Sequence, residues 1–253
     1  MTVTDNINDT FFDGSYKDVW KKLIPPGISE VECSFIEELA QLQPKDKVLD
    51  LMCGYGRHTL PFARKGFLVT AIDNSSSYIN EISKQATDEG LTIETIESSA
   101  LSAPFTQTYQ AIICMGNSFA FFNKEDALRL LKKIAAHLSP TGVFVINSWM
   151  IAEIALRFFK EREWLSVDRY KYLMHYRFHF NPHRIESEHT VIVDDTHIEV
   201  INGIDYIFTL AELESMFQEA GLKTKLIYST PKKRLFKLGD NTVYIVVEKN
   251  TSM

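Results

Sequence analysis

Apolar positions along this chain switch between two periods. Val31, Phe35, Leu39 and Leu42 recur at helical spacing behind Ser29 and Glu32, whose spacing reads as a capping box, and Pro44 closes that helix. KVLDLMC (47–53) is then a short, mostly apolar run, as expected of a buried strand. A helix is predicted from about Arg57 to Lys65, with Gly66 as its stop. FLVTAID (67–73) is the next strand. Asn74 or Ser75 caps a helix carrying Ile79, Ile82 and Ala86, and Gly90 ends it. TIETIE (92–97) and YQAIICM (109–115) are the third and fourth strands. Asn123 caps a helix carrying Ala127, Leu128, Leu131, Ile134 and Leu138, and Pro140 and Gly142 turn the chain into GVFVINS (142–148). Five β-α units in a row predict an open, doubly wound parallel sheet with helices on both faces.

The texture changes over residues 164–208, where Trp164, Tyr170, Tyr172, Tyr176, Phe178 and Phe180 interleave with charged residues and histidines. Partial alternation in RYKYLMHYRFHF, followed by HTVIVDD and HIEVING, predicts antiparallel strands added to the sheet domain. The α/β pattern resumes at Thr209, which forms a second capping box with Glu212, and Gly221 ends that helix. LKTKLIYST (222–230) and NTVYIVVEK (241–249) are expected to complete the sheet as a hairpin pair. The chain thus divides into an N-terminal cap (1–28), an α/β core (29–150), an inserted helix with antiparallel strands (151–208) and a completion of the core (209–253).

Composition narrows the class. The 253 residues are 45% apolar and 24% charged, which excludes a disordered chain, a collagen-like fibre and a disulfide-stapled miniprotein. A net charge of −6 gives no global pull toward nucleic acid. The basic stretch 231–237, PKKRLFK, is expected to be a solvated loop. Three cysteines without framework spacing suit a reducing compartment. The N-terminus has no charged leader followed by an apolar run, and Val143–Phe159 is broken by Asn147, Ser148, Glu153 and Arg157. A cytoplasmic protein with no membrane span is expected. His175, His179 and His183 repeat every four residues, but strand-like alternation and Pro182 speak against a helical metal face, so no metal is expected.

The candidate chemistry lies in VLDLMCGYGRH, Val48 to His58: a strand ending in an acidic residue, a glycine-containing turn and a helix start. In open α/β sheets ligands bind at the carboxyl ends of the strands, near the point where strand order reverses. Asp73 ends the second strand, 17 residues after Gly56, close to where a nucleotide-binding sheet places its ribose acceptor. A dinucleotide fingerprint wants a third glycine, and Thr59 stands there. Asp50 would repel a pyrophosphate and attract an ammonium. S-adenosylmethionine has an ammonium, a sulfonium and a ribose diol but no phosphate, so the pair Asp50 and Asp73 suits it better.

This segment resembles motif I of the class I S-adenosylmethionine-dependent methyltransferases. More narrowly, V-L-D-L-x-C-G-x-G-R-H resembles a bacterial group acting on small molecules. APF (103–105), GNSFAFF (116–122), LSPTGVFVIN (138–147) and FTLAELESMFQEAGL (208–222) resemble the same group in the same order. The resemblance implies a seven-stranded Rossmann-like methyltransferase sheet with an added antiparallel β subdomain. It implies that Asp50 holds the methionine ammonium, Gly54 and Gly56 pack against the methionine and ribose, Asp73 accepts from both ribose hydroxyls, and Asn74 flanks the adenine. Ser99 and Ala100 would lie at the adenine edge, and Met115, Gly116 and Asn117 would form the floor. Met52 stands where many relatives have glycine, and it joins Arg57 among the expected cofactor contacts.

Transfer from a sulfonium is an in-line displacement with a neutral thioether leaving, so alignment supplies much of the rate and no sharp catalytic motif is expected. Candidates near the chemistry are Tyr16, His58 and His179. Trp20, Phe119, Phe122 and Trp149 are candidates for the acceptor wall. The expected reaction moves a methyl group to N or O of a small-molecule acceptor and releases S-adenosylhomocysteine. An RNA or protein acceptor, and a non-catalytic module that binds the cofactor, are the alternatives. The chain is expected to be a monomer or homodimer.

Overall fold

In a computed structural model the protein is described from Asn6 to Asn250. Seven strands form one sheet: β1 (Lys47–Leu51), β2 (Leu68–Asp73), β3 (Ile93–Glu97), β4 (Tyr109–Cys114), β5 (Leu138–Ser148), β10 (Leu222–Tyr228) and β11 (Val243–Lys249). Their order is β10-β11-β5-β4-β1-β2-β3. β3, β2, β1, β4 and β5 run parallel, whereas β11 is antiparallel to both β5 and β10. This is the seven-stranded Rossmann-like sheet expected from the motifs.

Helices cover both faces, as the parallel strands require. α5 (Lys124–His137) and α7 (Leu210–Glu219) lie on one face, burying Leu131, Ile134, Leu213 and Phe217 against Phe144 and Ile112. α2 (Ile28–Ala40) and α3 (Thr59–Arg64) lie on the other, where Phe35, Ile36 and Phe62 meet Val48, Val69 and Val145. α4 (Ser76–Glu89) packs Ile79 and Ile82 near β2. Asn123 caps α5 through the Asp126 amide, and Thr209 and Glu212 form the complete capping box expected of α7.

Two local expectations are corrected. Gly27, in the left-handed region at φ 76°, caps α2 in place of Ser29, so Ser29 and Glu32 sit inside the helix. β1 ends at Leu51, leaving Met52 and Cys53 in the turn. The antiparallel strands form the added β subdomain expected of them. β6 (Arg162–Val167), β7 (Tyr170–Phe180), β8 (His183–Val193) and β9 (His197–Tyr206) form a separate four-stranded sheet, reached through α6 (Ala152–Phe158). Tyr170, Tyr172 and Met174 of β7 with Val191 and Val193 of β8 are its buried face. That face covers Phe11 and two residues of α1 (Tyr16–Leu23), Tyr16 and Val19. No helix among the described residues is long and apolar enough to cross a membrane. In the 231–237 loop, Lys233 pairs with Glu38 and Arg234 with Asp240.

Candidate functional site

Strand order reverses between β1 and β4, and a cleft with about 880 Å³ of empty space opens at their carboxyl ends. Asp50 and Met52 reach it from β1 and its turn, Asp73 from the end of β2, and Met115 and Gly116 from the end of β4. The N-terminal segment roofs it with Asn8, Phe12 and Trp20. Asn8 is tied to β9, donating from Nδ2 to the Ile204 carbonyl and accepting from the Ile204 amide, both at 2.9 Å.

The turn after β1 needs unusual backbone. Met52, Gly54 and Gly56 have φ of 56°, 55° and 81°. A glycine is the easy solution for such angles, and Met52 holds its left-handed conformation without that freedom. The Gly54 amide donates to Asp73 Oδ2 at 2.8 Å, and the Ser75 amide donates to Asp73 Oδ1 at 2.9 Å. Asp73 is therefore fixed as the turn's acceptor with lone pairs still facing the cleft. Thr59 Oγ1 donates to Asp50 Oδ2 at 2.7 Å. Burial pushes both carboxyls above their ordinary range, while these donors oppose it. Two carboxylates stripped of water in one cleft make it receptive to a cation.

Arg57 brings the complementary charge. Its Nη1 donates to Glu32 Oε2 at 2.5 Å and to Ser29 Oγ at 3.3 Å. His58 Nε2 lies 2.8 Å from the same Glu32 oxygen, and Tyr244 donates its hydroxyl proton to Glu32 Oε1 at 2.8 Å. Glu32 is only 2% exposed. Burial alone would raise its pKa, but hydrogen bonding and charge from His58 and Arg57 hold it down to about 2. The capping-box reading of Glu32 is thus replaced by a buried anchor for Arg57 and His58. Its signal was present: Glu32 lies one helical turn before Ile36, on the buried stripe of α2 with Cys33 and Phe35.

Thirteen expected residues line this one cleft: Trp20, Asp50, Met52, Gly54, Arg57, His58, Asp73, Asn74, Ser99, Ala100, Met115, Gly116 and Phe122. Others do not. Gly56 serves packing, since a Cβ there would stand 2.7 Å from Ile82 Cγ1. Tyr16 is 6% exposed and packs between Phe11 and Tyr172 beneath the four-stranded sheet. Phe119 sits in the main core against Phe122 and Phe144. His179 does not face the cleft: its Nε2 lies 3.0 Å from Glu186 Oε2 of β8. Asn117 turns away to β5 and β9, accepting from Ser148 Oγ at 2.7 Å and donating to Asp205 at 2.9 Å. Trp149 stands beside the cleft, its ring centroid 5.8 Å from that of Trp20. Asn6, Asn8, Phe12, Tyr55 and Tyr78 line the cleft without having been expected there. No cluster of three or more histidine, cysteine or acidic side chains among the described residues could hold a metal ion.

The stretch that builds this cleft is also the one that matches a known family. Residues 48–142 match the methyltransferase domain family. Glycine/sarcosine N-methyltransferase of Halorhodospira halochloris is 27% identical over 148 residues, 57% of this chain and 55% of that protein. The chain therefore spans about half the length of that curated relative. Among solved structures, an S-adenosylmethionine-dependent methyltransferase from Clostridium acetobutylicum superposes with a TM-score of 0.82 at 17% identity, covering 93% of this chain and 98% of that one. SAM-bound CalS10, an amino pentose methyltransferase from Micromonospora echinaspora, superposes with a TM-score of 0.70 at 15% identity, covering 93% and 97%. The chain shares its fold with these methyltransferase structures over 93% of its length.

Proposed function

We propose that this chain is an S-adenosylmethionine-dependent methyltransferase that moves the methyl group to nitrogen or oxygen of a small-molecule acceptor. The observation that carries this reading is the convergence of Asp50, Asp73 and Arg57 on one cleft at the strand-order reversal. The two carboxylates suit an ammonium and a ribose diol, and Arg57 suits a carboxylate. The methyltransferase-domain match over residues 48–142 and the solved neighbours that use this cofactor support the same reading.

Bound there, S-adenosylmethionine would supply an electrophilic methyl carbon with a neutral leaving group. The chain's own part is to hold the donor, exclude water and align the acceptor, for which positioning provides up to about 7–11 kcal/mol. Asp73 would hold the ribose, Asp50 the ammonium and Arg57 the carboxylate, with Glu32 fixing the guanidinium. The roof from Asn6 to Trp20 and the four-stranded sheet leave a covered site, which favours a small acceptor over a nucleic acid or protein.

Arg57→Ala is expected to weaken S-adenosylmethionine binding by about 10–100-fold, the worth of one charged hydrogen-bond partner. Binding of 5′-methylthioadenosine, which lacks the amino-acid arm, should be unchanged in the same calorimetric titration. Equal losses for both ligands would remove Arg57 from the amino-acid end. Release of S-adenosylhomocysteine on adding small-molecule acceptors separates the enzyme from a non-catalytic binding module.

A further inference from the structure

A phenol hydroxyl in the wall of the cofactor cleft is left without a partner. Tyr78 lies in the first turn of α4, lines the cleft and is 2% exposed. Its hydroxyl is shut off from solvent and makes no hydrogen bond, the only side-chain hydroxyl among the described residues in that state. A buried donor without an acceptor costs free energy, and a phenylalanine would fill the same space without that cost. Buried polar groups are otherwise paired, so an orphan in a cleft wall calls for a ligand that completes it.

The neighbours of Tyr78 fix where this hydroxyl stands. Its ring lies beside the turn after β1, where a Cβ on Gly54 would stand 3.9 Å from Tyr78 Cε2. Gly54 is also the residue whose amide donates to Asp73, so the phenol and the Asp73 carboxylate share one corner of the cleft. The roof holds the ring in place. Phe12 meets it with ring centroids 6.2 Å apart, and Lys21 of α1 sets its ammonium 5.9 Å from the Tyr78 centroid while pairing with Glu81 of α4 at 2.6 Å. Burial first, and the Asp73 charge after it, push the phenol upward, so it keeps its proton at neutral pH and has it to donate. Asp73 does not take that bond: it accepts from the Gly54 and Ser75 amides, and the Tyr78 hydroxyl reaches no acceptor.

We propose that the Tyr78 hydroxyl donates to a ribose hydroxyl oxygen of the bound cofactor, whose diol in turn donates to Asp73, and that this bond makes the site selective for a ribonucleoside over a deoxynucleoside. This rests on the methyltransferase reading above and adds a binding residue to that same site. A ribose hydroxyl is donor and acceptor at once, whereas an ionised carboxylate only accepts. A ribose hydroxyl held by Asp73 therefore spends its proton there and keeps oxygen lone pairs for a donor, which the phenol supplies. Phenol, ribose hydroxyl and carboxylate then form a chain in which each bond polarises the next, and no proton changes owner. An ammonium offers no lone pair to such a donor. A deoxyribose leaves the phenol as unpaired as it is in the free protein, and a site built to bond a hydroxyl rejects the analogue that lacks it.

The test is calorimetric titration of the full chain, wild type and Tyr78→Phe, with S-adenosylhomocysteine and its 2′-deoxy and 3′-deoxy analogues. Tyr78→Phe should bind S-adenosylhomocysteine about 3–10-fold more weakly, the worth of one neutral hydrogen bond. With one of the two deoxy analogues, variant and wild type should bind alike, because the accepting oxygen is gone; with the other the difference should persist. Without ligand, the Tm of Tyr78→Phe should equal or exceed that of wild type, because the substitution removes a hydroxyl that has no partner. A hydroxyl with a structural role would lower Tm and affinity together, so the opposite signs separate the two. Equal affinity of both proteins for S-adenosylhomocysteine overturns the contact. The same loss with all three ligands overturns the ribose assignment. A lower Tm for the unliganded variant overturns the unpaired state of the hydroxyl. A wild-type protein that binds neither S-adenosylmethionine nor S-adenosylhomocysteine overturns the methyltransferase reading instead.

Discussion

Glu32→Ala is expected to cost about 3–5 kcal/mol of folding stability, because it strands the half-buried Arg57 guanidinium and the buried His58 together. Arg57 Nη1 loses its 2.5 Å acceptor, His58 Nε2 its 2.8 Å partner and Tyr244 the oxygen that takes its hydroxyl proton. At about 2–4 °C per kcal/mol for a chain of this size, the Tm should fall by roughly 6–20 °C, which differential scanning calorimetry measures. Tyr244→Phe removes one hydrogen bond and leaves the charges paired, so it should cost only about 0.5–1.5 kcal/mol. A Glu32→Ala protein that melts with the wild type would mean that the network holds nothing together. The pH dependence has a definite sign. Glu32 has a native pKa depressed from 4.5 to about 2, so its contribution is complete above about pH 4.5 and is lost as pH falls through about 2.

Asp73→Ala is expected to weaken S-adenosylmethionine by about 10²-fold or more while leaving a folded protein. The carboxylate serves two tasks at once. It accepts from the Gly54 and Ser75 amides, which set the turn, and its remaining lone pairs face the cleft where a ribose diol would donate. Each charge-assisted bond lost to a ligand hydroxyl is worth about 1.5–3 kcal/mol. The companion cost is local, two turn amides left to water, so the Tm should drop by only a few degrees. Unchanged affinity in Asp73→Ala, measured by titration against folded protein, would move the nucleoside away from β2.

The parts of this account that were legible in the sequence are those where local chemistry and periodicity agree. The turn of residues 52–58 demanded left-handed backbone, and glycines at 54 and 56 announced it. Asp50 and Asp73 were legible because strand ends in a parallel sheet point to one edge. Asn123 and Thr209 were legible as caps because their partners lie three residues away. Glu32 was not read, because it is a carboxylate lying in phase with apolar neighbours, and its partners come from distant segments. It meets Arg57, His58 and Tyr244. Spacing offered a cheaper explanation for Glu32, a capping box, and Gly27 made that box unnecessary. Tyr16 and Trp20 show the limit of spacing from the other side. They share α1, yet Trp20 faces the cleft and Tyr16 faces the four-stranded sheet, a division set by Phe11, Tyr172 and His189 packing around Tyr16.

The central claim is that Asp50, Asp73 and Arg57 form one receptor for a sulfonium nucleoside. Calorimetric titration of the full chain with S-adenosylmethionine, with NAD as the comparison, tests it most directly. One site per chain is expected, with a Kd on the order of 1 µM to 1 mM, the range usual for enzyme substrates, and no heat from NAD. Silence with millimolar S-adenosylmethionine, or saturable binding of NAD in its place, would contradict it.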